Sequence, residues 1–160
     1  MAITNGYCTL AQIKNSAGIT DGVDDELLEL AVEAASREID GSTERQFFQT
    51  SATRIYTPRD SYITEIDDLV TLTTLKTSSA ADTVFDTTWD PTDYQLEPLN
   101  GIAGGIVTPA NTIRAVGDYA FPIDGGSATV EVTGTFGFAS VPTAITQAAV
   151  ILGSRIFKRN

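Results

Sequence analysis

The chain has 160 residues, no histidine, a single cysteine and a formal net charge of −11. Without histidine, the Ser-His-Asp and Cys-His constellations and most transition-metal sites fall away. Lone Cys8 makes neither an internal disulfide nor a cysteine-based zinc site, and reads as a small buried hydrophobe. The acidity argues against a surface that grips DNA, RNA or an anionic membrane, since each needs a basic face; a negative wall would still let a duplex slide past without holding it.

In chain order, Thr9 to Gly18 predicts a short helix. Thr9 is its N-cap, Gln12 three residues later completes a capping box, and Gly18 is the stop. A second helix is expected from near Asp24 to about Asp40, its acidic first turn placed on the positive end of the helix dipole. At 100° per residue, Leu27, Leu28, Leu30, Ala31, Val32, Ala34, Ala35 and Ile39 share one broad arc, and Glu29, Glu33, Ser36, Arg37 and Asp40 the other. Glu33 and Arg37 are spaced i,i+4 with the favourable sign order. Glu38 projects into the apolar arc, where it leans to the edge, meets Arg45, or forms an ion pair between subunits. Phe47 and Phe48 follow as core aromatics.

Residues 53–135 change to β-branched, aromatic and turn residues and predict strands at 53–57, 63–66, 69–77, 83–87, 94–96, 113–116 and 129–134. Asp60-Ser61, Asp90-Pro91, Asn100-Gly101 and Asp124-Gly125-Gly126 read as turns, and 101–109 as a loop. Val141-Pro142 opens a last helix, with Ile145, Ala148, Ala149, Leu152 and Ile156 on one stripe. Ala144, Val150 and Ile151 extend the apolar surface nearly all round. Such a helix needs more than one wall to hide against. Gly153, mid-helix, costs about 1 kcal/mol against alanine, and with Ala148 and Ala149 leaves a smooth surface for close approach by another backbone. Lys158 and Arg159 suit the negative helix end.

The pattern predicts an α+β fold. An N-terminal helical pair and a long C-terminal helix form a helical body (1–48 and 141–159), with an antiparallel β insertion (53–135) in a single domain spanning 1–160. Charge is uneven: residues 21–44 hold nine acids and one base, whereas 132–160 hold no acid and three bases. That asymmetry suits solvated faces and also head-to-tail packing of identical subunits.

No phosphate loop, Gly-x-Gly-x-x-Gly, Gly-x-Ser-x-Gly elbow or Ser-x-x-Lys occurs. Asp82, Asp86, Asp90 and Asp93 fail the alternating calcium-loop spacing and read as strand-end and turn carboxylates. Catalytic, cofactor and metal residues are therefore all expected to be none. No apolar run approaches bilayer length. Met1 to Gly6 lacks a signal peptide's basic and apolar parts, so the expected compartment is a cytoplasm or a particle assembled there.

Three stretches near the N-terminus, 7–14, 24–40 and 43–47, resemble the start of the head–tail connector (adaptor) proteins of long-tailed phages. The segments 67–75, 93–98, 132–138, 141–142 and 148–159 resemble that family's longer members. The resemblance implies a dodecameric ring beneath the portal vertex that joins capsid to tail at the neck of the virion. DNA would pass through its channel, with no sequence-specific nucleic-acid binding, no membrane and no catalysis. It implies portal protein and a stopper or tail-completion protein as partners. Carried over to this sequence, the portal-reaching segment is Arg155, Ile156, Phe157, Lys158 and Arg159; the family often continues past such a Lys-Arg element, whereas this chain ends at Asn160. Glu33, Arg37, Glu38, Ala148 and Leu152 are the expected subunit-interface residues. The alternatives are a head-completion or tail-terminator protein of the same machine, and, from another class, a small β-rich carbohydrate-binding module or hydrolase with Phe85, Trp89 and Tyr94 as its platform.

Overall fold

Local chemistry sets the first helix. The Gln12 amide N–H donates to the Thr9 hydroxyl at 3.2 Å and the Thr9 amide donates to the Gln12 side chain at 2.8 Å, a reciprocal cap on α1 (Leu10–Ala17). Gly18 ends α1 in the left-handed region, φ +71°, and its amide bonds to the Lys14 carbonyl. The computed structural model describes residues 2–80, 82, 84–103, 106–123 and 127–158. The chain forms two compact units, Met1–Phe48 with Ser140–Asn160, and Gln49–Ala139.

In the first unit, α2 (Asp25–Thr43) runs past the expected stop near Asp40 and ends at Glu44, whose φ of +54° breaks the helix without a glycine. Lys14 of α1 ties its first turn through Asp25 at 2.6 Å. The final helix, α3 (Thr143–Phe157), begins after Pro142, whose carbonyl accepts from the Ile145 and Thr146 amides. With 15 residues it is shorter than α2 with 19, so the expectation of a long C-terminal helix is not met. All three helices pack on one another around Ile13, Leu28, Ala31, Val32, Ala35 and Ala149, each at most 2% exposed. Gly153 serves this packing: a Cβ there would lie 2.9 Å from Ile13 Cδ1 and 3.5 Å from the Ala31 carbonyl. The close backbone approach expected of Gly153 is thus made within the chain, to α1 and α2.

The second unit is an antiparallel sheet of β1 (Thr50–Tyr56), β2 (Ile63–Thr77), β3 (Thr87–Trp89), β4 (Tyr94–Glu97), β7 (Ala110–Ala115) and β8 (Val130–Phe136). Their order is β1-β8-β2-β7-β4, with β3 on the end of β2. The expected strands 63–66 and 69–77 are one strand; Asp67 and Asp68 interrupt the alternation at a register shift against β7, not at a turn. The strand expected at 83–87 lies instead at 87–89, and that expected at 113–116 starts at Ala110 and ends at Ala115. The expected loop 101–109 holds a small hairpin, β5 (Ile102–Ala103) with β6 (Ile106–Val107). The Asp124-Gly125-Gly126 turn lies outside the described residues. Leu69, Leu75, Ile113, Phe121, Val130, Val132 and Phe136 form the sheet's core.

Candidate assembly interface

The residues singled out from the sequence gather in the helical unit, and they divide between two kinds of work. Glu33 and Arg37 hold the N-terminal segment to α2. The Glu33 carboxylate accepts the Thr4 amide at 2.5 Å and the Asn5 amide at 3.2 Å. Arg37 donates to the Asn5 carbonyl at 3.1 Å and to Asp40 at 2.8 Å, and its guanidinium lies 4.8 Å from the Phe48 ring centre. Beside them, the buried Ser36 hydroxyl accepts the Tyr7 amide at 2.9 Å and donates to the Val32 carbonyl at 2.7 Å. Ser36, assigned to the polar arc from sequence, is therefore fully buried because both of its hydrogen-bonding roles are filled there. Tyr7 completes the cluster through Asp40 and Phe47. Burial first, and then the Asp40 hydrogen bond, pushes its phenol up to about 12. Cys8 is 4% exposed, and burial raises its thiol.

The broad apolar arc of α2 splits in two. Leu28, Ala31, Val32, Ala35 and Ile39 face the core, whereas Leu27, Leu30 and Ala34 are exposed, with Leu27 at 47% and Leu30 at 45%. Glu38 is exposed on the continuation of that outer stripe and has no hydrogen-bond or ion-pair partner among the described residues, Arg45 included.

The last helix is also open on one side. Only Ala149, Gly153 and Ser154 of α3 are fully buried. Ala144, Ala148, Ile151 and Arg155 are exposed, and Leu152, Ile156 and Phe157 are half-buried. An open groove of about 520 Å³ borders this face between α1 and α3, lined among others by Gln12, Asn15, Gln147 and Ile151. Lys158 is exposed at the helix end; Arg159 lies outside the described residues. Ala148, named from the sequence, lies on this exposed face, but the rest of the face was not told apart from the buried one, because an all-round apolar helix gives no phase by which to tell inside from outside.

The side chains weighed on the sheet take structural places among the described residues. Trp89 is 5% exposed, stacks on Phe121 with ring centroids 4.8 Å apart and donates to the Thr77 hydroxyl at 3.0 Å, so it is core and not a sugar platform. Asp82 accepts from Ser78 and Asp86 from Ser79, which holds the Asp86 carboxyl below its ordinary range; Asp93 accepts the Asp90 amide. Among the described residues no three His, Cys, Asp or Glu side chains converge to hold a metal, and no helix is long and apolar enough to cross a membrane.

The family described as phage gp6-like head-tail connector protein matches residues 7–82, which span α1, α2, β1 and β2. The resemblance seen at 7–14, 24–40, 43–47 and 67–75 falls inside this match, and that seen from 93 onward falls outside it. A chain in the neck of an empty gene transfer agent particle, computed with C6 symmetry, has the same fold: TM-score 0.67, 22% identity, covering 99% of this chain and 81% of that one. A chain in the virion of the native gene transfer agent particle superposes with TM-score 0.60 at 22% identity and the same coverage. No curated protein matches the sequence.

Proposed function

We propose that this chain, which matches the head–tail connector family through its N-terminal helices and first two strands, is a structural connector at the neck of a virion or virion-like particle. The observation that carries this is the family match over residues 7–82. The fold shared with a gene transfer agent neck chain over 99% of this chain supports it. In this reading copies of the chain form a ring, a dodecamer in the particle, whose channel passes DNA. Portal protein lies on one side and a stopper or tail-completion protein on the other. The net charge of −11 suits such a channel, because an acidic wall does not hold phosphate.

Two sets of residues take the contacts. Arg155, Ile156, Phe157, Lys158 and Arg159 reach the portal. Glu38, Ala148 and Leu152 meet the neighbouring subunit, with Glu33 and Arg37 at the margin, where their bonds to the N-terminal segment shape the surface. The protein acts through these contacts and turns over no substrate.

Particle imaging of the purified protein, alone and mixed with portal, tests the reading: annular particles stacked coaxially on portal rings are expected. Deleting residues 155–160 should leave a folded protein that no longer docks. Undiminished docking would refute the role given to the C-terminus, and failure of the intact protein to join portal under any condition would refute the connector reading.

A further inference from the structure

Residues 77–154 hold eight acids and a single base, Arg114, whose guanidinium is already committed to Glu97 at 2.6 and 3.2 Å. Part of that acidity gathers where β7 stops and β2 and β4 begin. The loop 116–120 leaves β7 there, and all five of its residues are exposed. Both feet of the loop are bonded to the turn before β2. The Ala115 amide donates to the Tyr62 carbonyl at 2.9 Å, and the Phe121 amide to the Ser61 carbonyl at 2.7 Å. The Val116 amide donates to the Asp93 carbonyl at 2.9 Å, which brings the turn before β4 alongside.

This surface is aromatic as well as acidic. Tyr62 is 57% exposed, Tyr119 44% and Val116 39%. Tyr119 lies against the buried Trp89 with ring centroids 5.2 Å apart, and still keeps that share of its surface in solvent. Its phenol is pushed up by the charge of Asp93, then by burial, by a hydrogen bond to Asp93 and by the charge of Asp90, so two carboxylates stand beside it. Asp118, next to it in the loop, is exposed and has no hydrogen-bond or ion-pair partner among the described residues. The bases that flank these segments in sequence are occupied, Arg59 by Asp60 and Glu65, and Arg114 by Glu97. The surface therefore offers bare rings and an unanswered negative charge together.

That combination selects among partners. An acidic segment is repelled. A lysine answers the charge as a strongly hydrated point, whereas a guanidinium is flat, weakly hydrated and always charged, stacks on an aromatic face and donates to a carboxylate at the same time. We propose that this surface docks a partner protein through an arginine-bearing segment, its guanidinium laid on the exposed ring of Tyr119 and paired with Asp118, with Tyr62 and Val116 covered by the segment's apolar atoms. This rests on the connector reading and adds to it: Arg155 to Arg159 are given to the portal, so the partner here is the one on the tail side.

Titration of the full-length protein with short capped peptides tests the surface. The probes are acetyl-Gly-Arg-Gly-Arg-Gly-amide and its lysine counterpart, added in about 0.15 M salt so that the net negative charge does not act at long range. Backbone amide shifts locate the contact, and Trp89 emission reports it, because Tyr119 lies against that indole. Shifts are expected to gather at 60–63, 90–93 and 115–121, and the arginine peptide should bind about two-fold tighter than the lysine one, or more. Asp118→Asn with Tyr119→Leu should weaken the arginine peptide about five-fold. Glu26→Gln, on the acidic helix α2, should leave it unchanged. Asp118→Asn alone changes an exposed side chain without a partner, so it serves where Tyr119→Leu loosens the core; it should weaken binding about two-fold. Shifts gathered at 21–44, equal binding of the two peptides, or undiminished binding by Asp118→Asn would each overturn the proposal. If the intact protein forms rings on portal while the arginine peptide ignores this surface, the surface is wrongly assigned and the connector reading stands. If the peptide binds here and no ring forms on portal, the reverse holds.

Discussion

The Tyr7 hydroxyl donates to the Asp40 carboxylate and accepts the Phe47 backbone N–H at 2.9 Å, so one phenol joins the N-terminal segment, α2 and the chain beyond it. Tyr7 and Phe47 are 3% and 5% exposed, and their rings meet edge to face at 5.6 Å. Replacing Tyr7 by Phe keeps the ring contact and removes both hydrogen bonds of the phenol, to Asp40 and from the Phe47 amide. Losing a buried hydrogen bond costs about 1–3 kcal/mol. Urea unfolding of the Tyr7→Phe variant should therefore show an unfolding free energy lowered by about that amount, read as a lower midpoint at an unchanged m-value. An unshifted midpoint would mean that water replaces the phenol and that the cluster is not sealed.

The same phenol gives alkaline instability a defined window. Its pKa rises from 10.0 to about 12 on folding, because burial and then the Asp40 hydrogen bond favour the neutral form. A group raised in the folded state contributes its full stability below its unfolded pKa and loses it as pH climbs through the folded value. The Tyr7 share of the stability should thus be complete below pH 10 and be lost between pH 10 and about 12. Tyr56, raised by burial and by its hydrogen bond to Asp67, acts in the same direction. Tyr7→Phe should make the decline shallower without abolishing it, as read from unfolding free energies measured along a pH series.

What could be read from the sequence was what depends on neighbours a few residues away. The Thr9–Gln12 cap and the Gly18 stop were legible because three residues specify them without reference to the rest of the fold. The split of α2's apolar arc was not, since periodicity reports which residues are apolar and not which of two directions is covered. Leu27, Leu30 and Ala34 differ from Leu28, Ala31 and Ala35 only in what packs on them. Ser36 went unrecognised for the converse reason: its partners, the Tyr7 amide and the Val32 carbonyl, are backbone groups. In the sheet, Asp67-Asp68 looked like a break because charge usually ends a strand. Asp67 instead stays on an exposed position of β2 and takes hydrogen bonds from Arg54 and Tyr56. The connector reading came from resemblance alone; no physical pattern in the residues distinguishes a ring subunit from another α+β protein with an apolar helix.

Trp89, the only tryptophan, is a built-in probe of the sheet's core. Its ring lies within 7° of parallel to Phe121, and its indole N–H is held by Thr77. Its emission should be blue-shifted and poorly quenched by iodide, and should change by no more than baseline drift on addition of mono- or oligosaccharides. Red-shifted, readily quenched emission would place the indole at the surface and reopen the sugar-platform reading.

Gly134 of β8 is required by a backbone approach. A Cβ there would lie 2.2 Å from the Thr71 carbonyl oxygen and 3.3 Å from Leu72 Cα, where the β2–β8 register slips between Leu69 and Thr71 and again between Leu72 and Thr74. An alanine would gain about 0.4–1 kcal/mol by restricting the unfolded chain. Against that stands a clash with backbone that no rotamer relieves, and overpacking of this kind costs about 1–3 kcal/mol or more. The clash wins, and Gly134→Ala should lower the thermal midpoint. Proteolysis that begins to cut within 49–139 would locate the damage in the sheet. A variant as stable as the parent would show that β2 can retreat at its bulge.

Glu33 offers the last separation, between a residue that contacts another subunit and one that shapes its own surface. Its carboxylate takes two backbone amides, Thr4 and Asn5, and its side chain is 25% exposed. Removing a charged acceptor from two amides at a partly solvated site should cost about 1 kcal/mol, less than the buried value because water reaches the site. Hydrogen exchange on the Glu33→Ala variant should accelerate at Thr4 and Asn5 while amides in the middle of α2 keep their protection. Glu33→Gln, whose side-chain oxygen still accepts, should restore most of it. If exchange at Thr4 and Asn5 is unchanged in isolated chains and differs only in assembled rings, then Glu33 works across the subunit boundary and the N-terminal clamp is held by Arg37 and Ser36 alone.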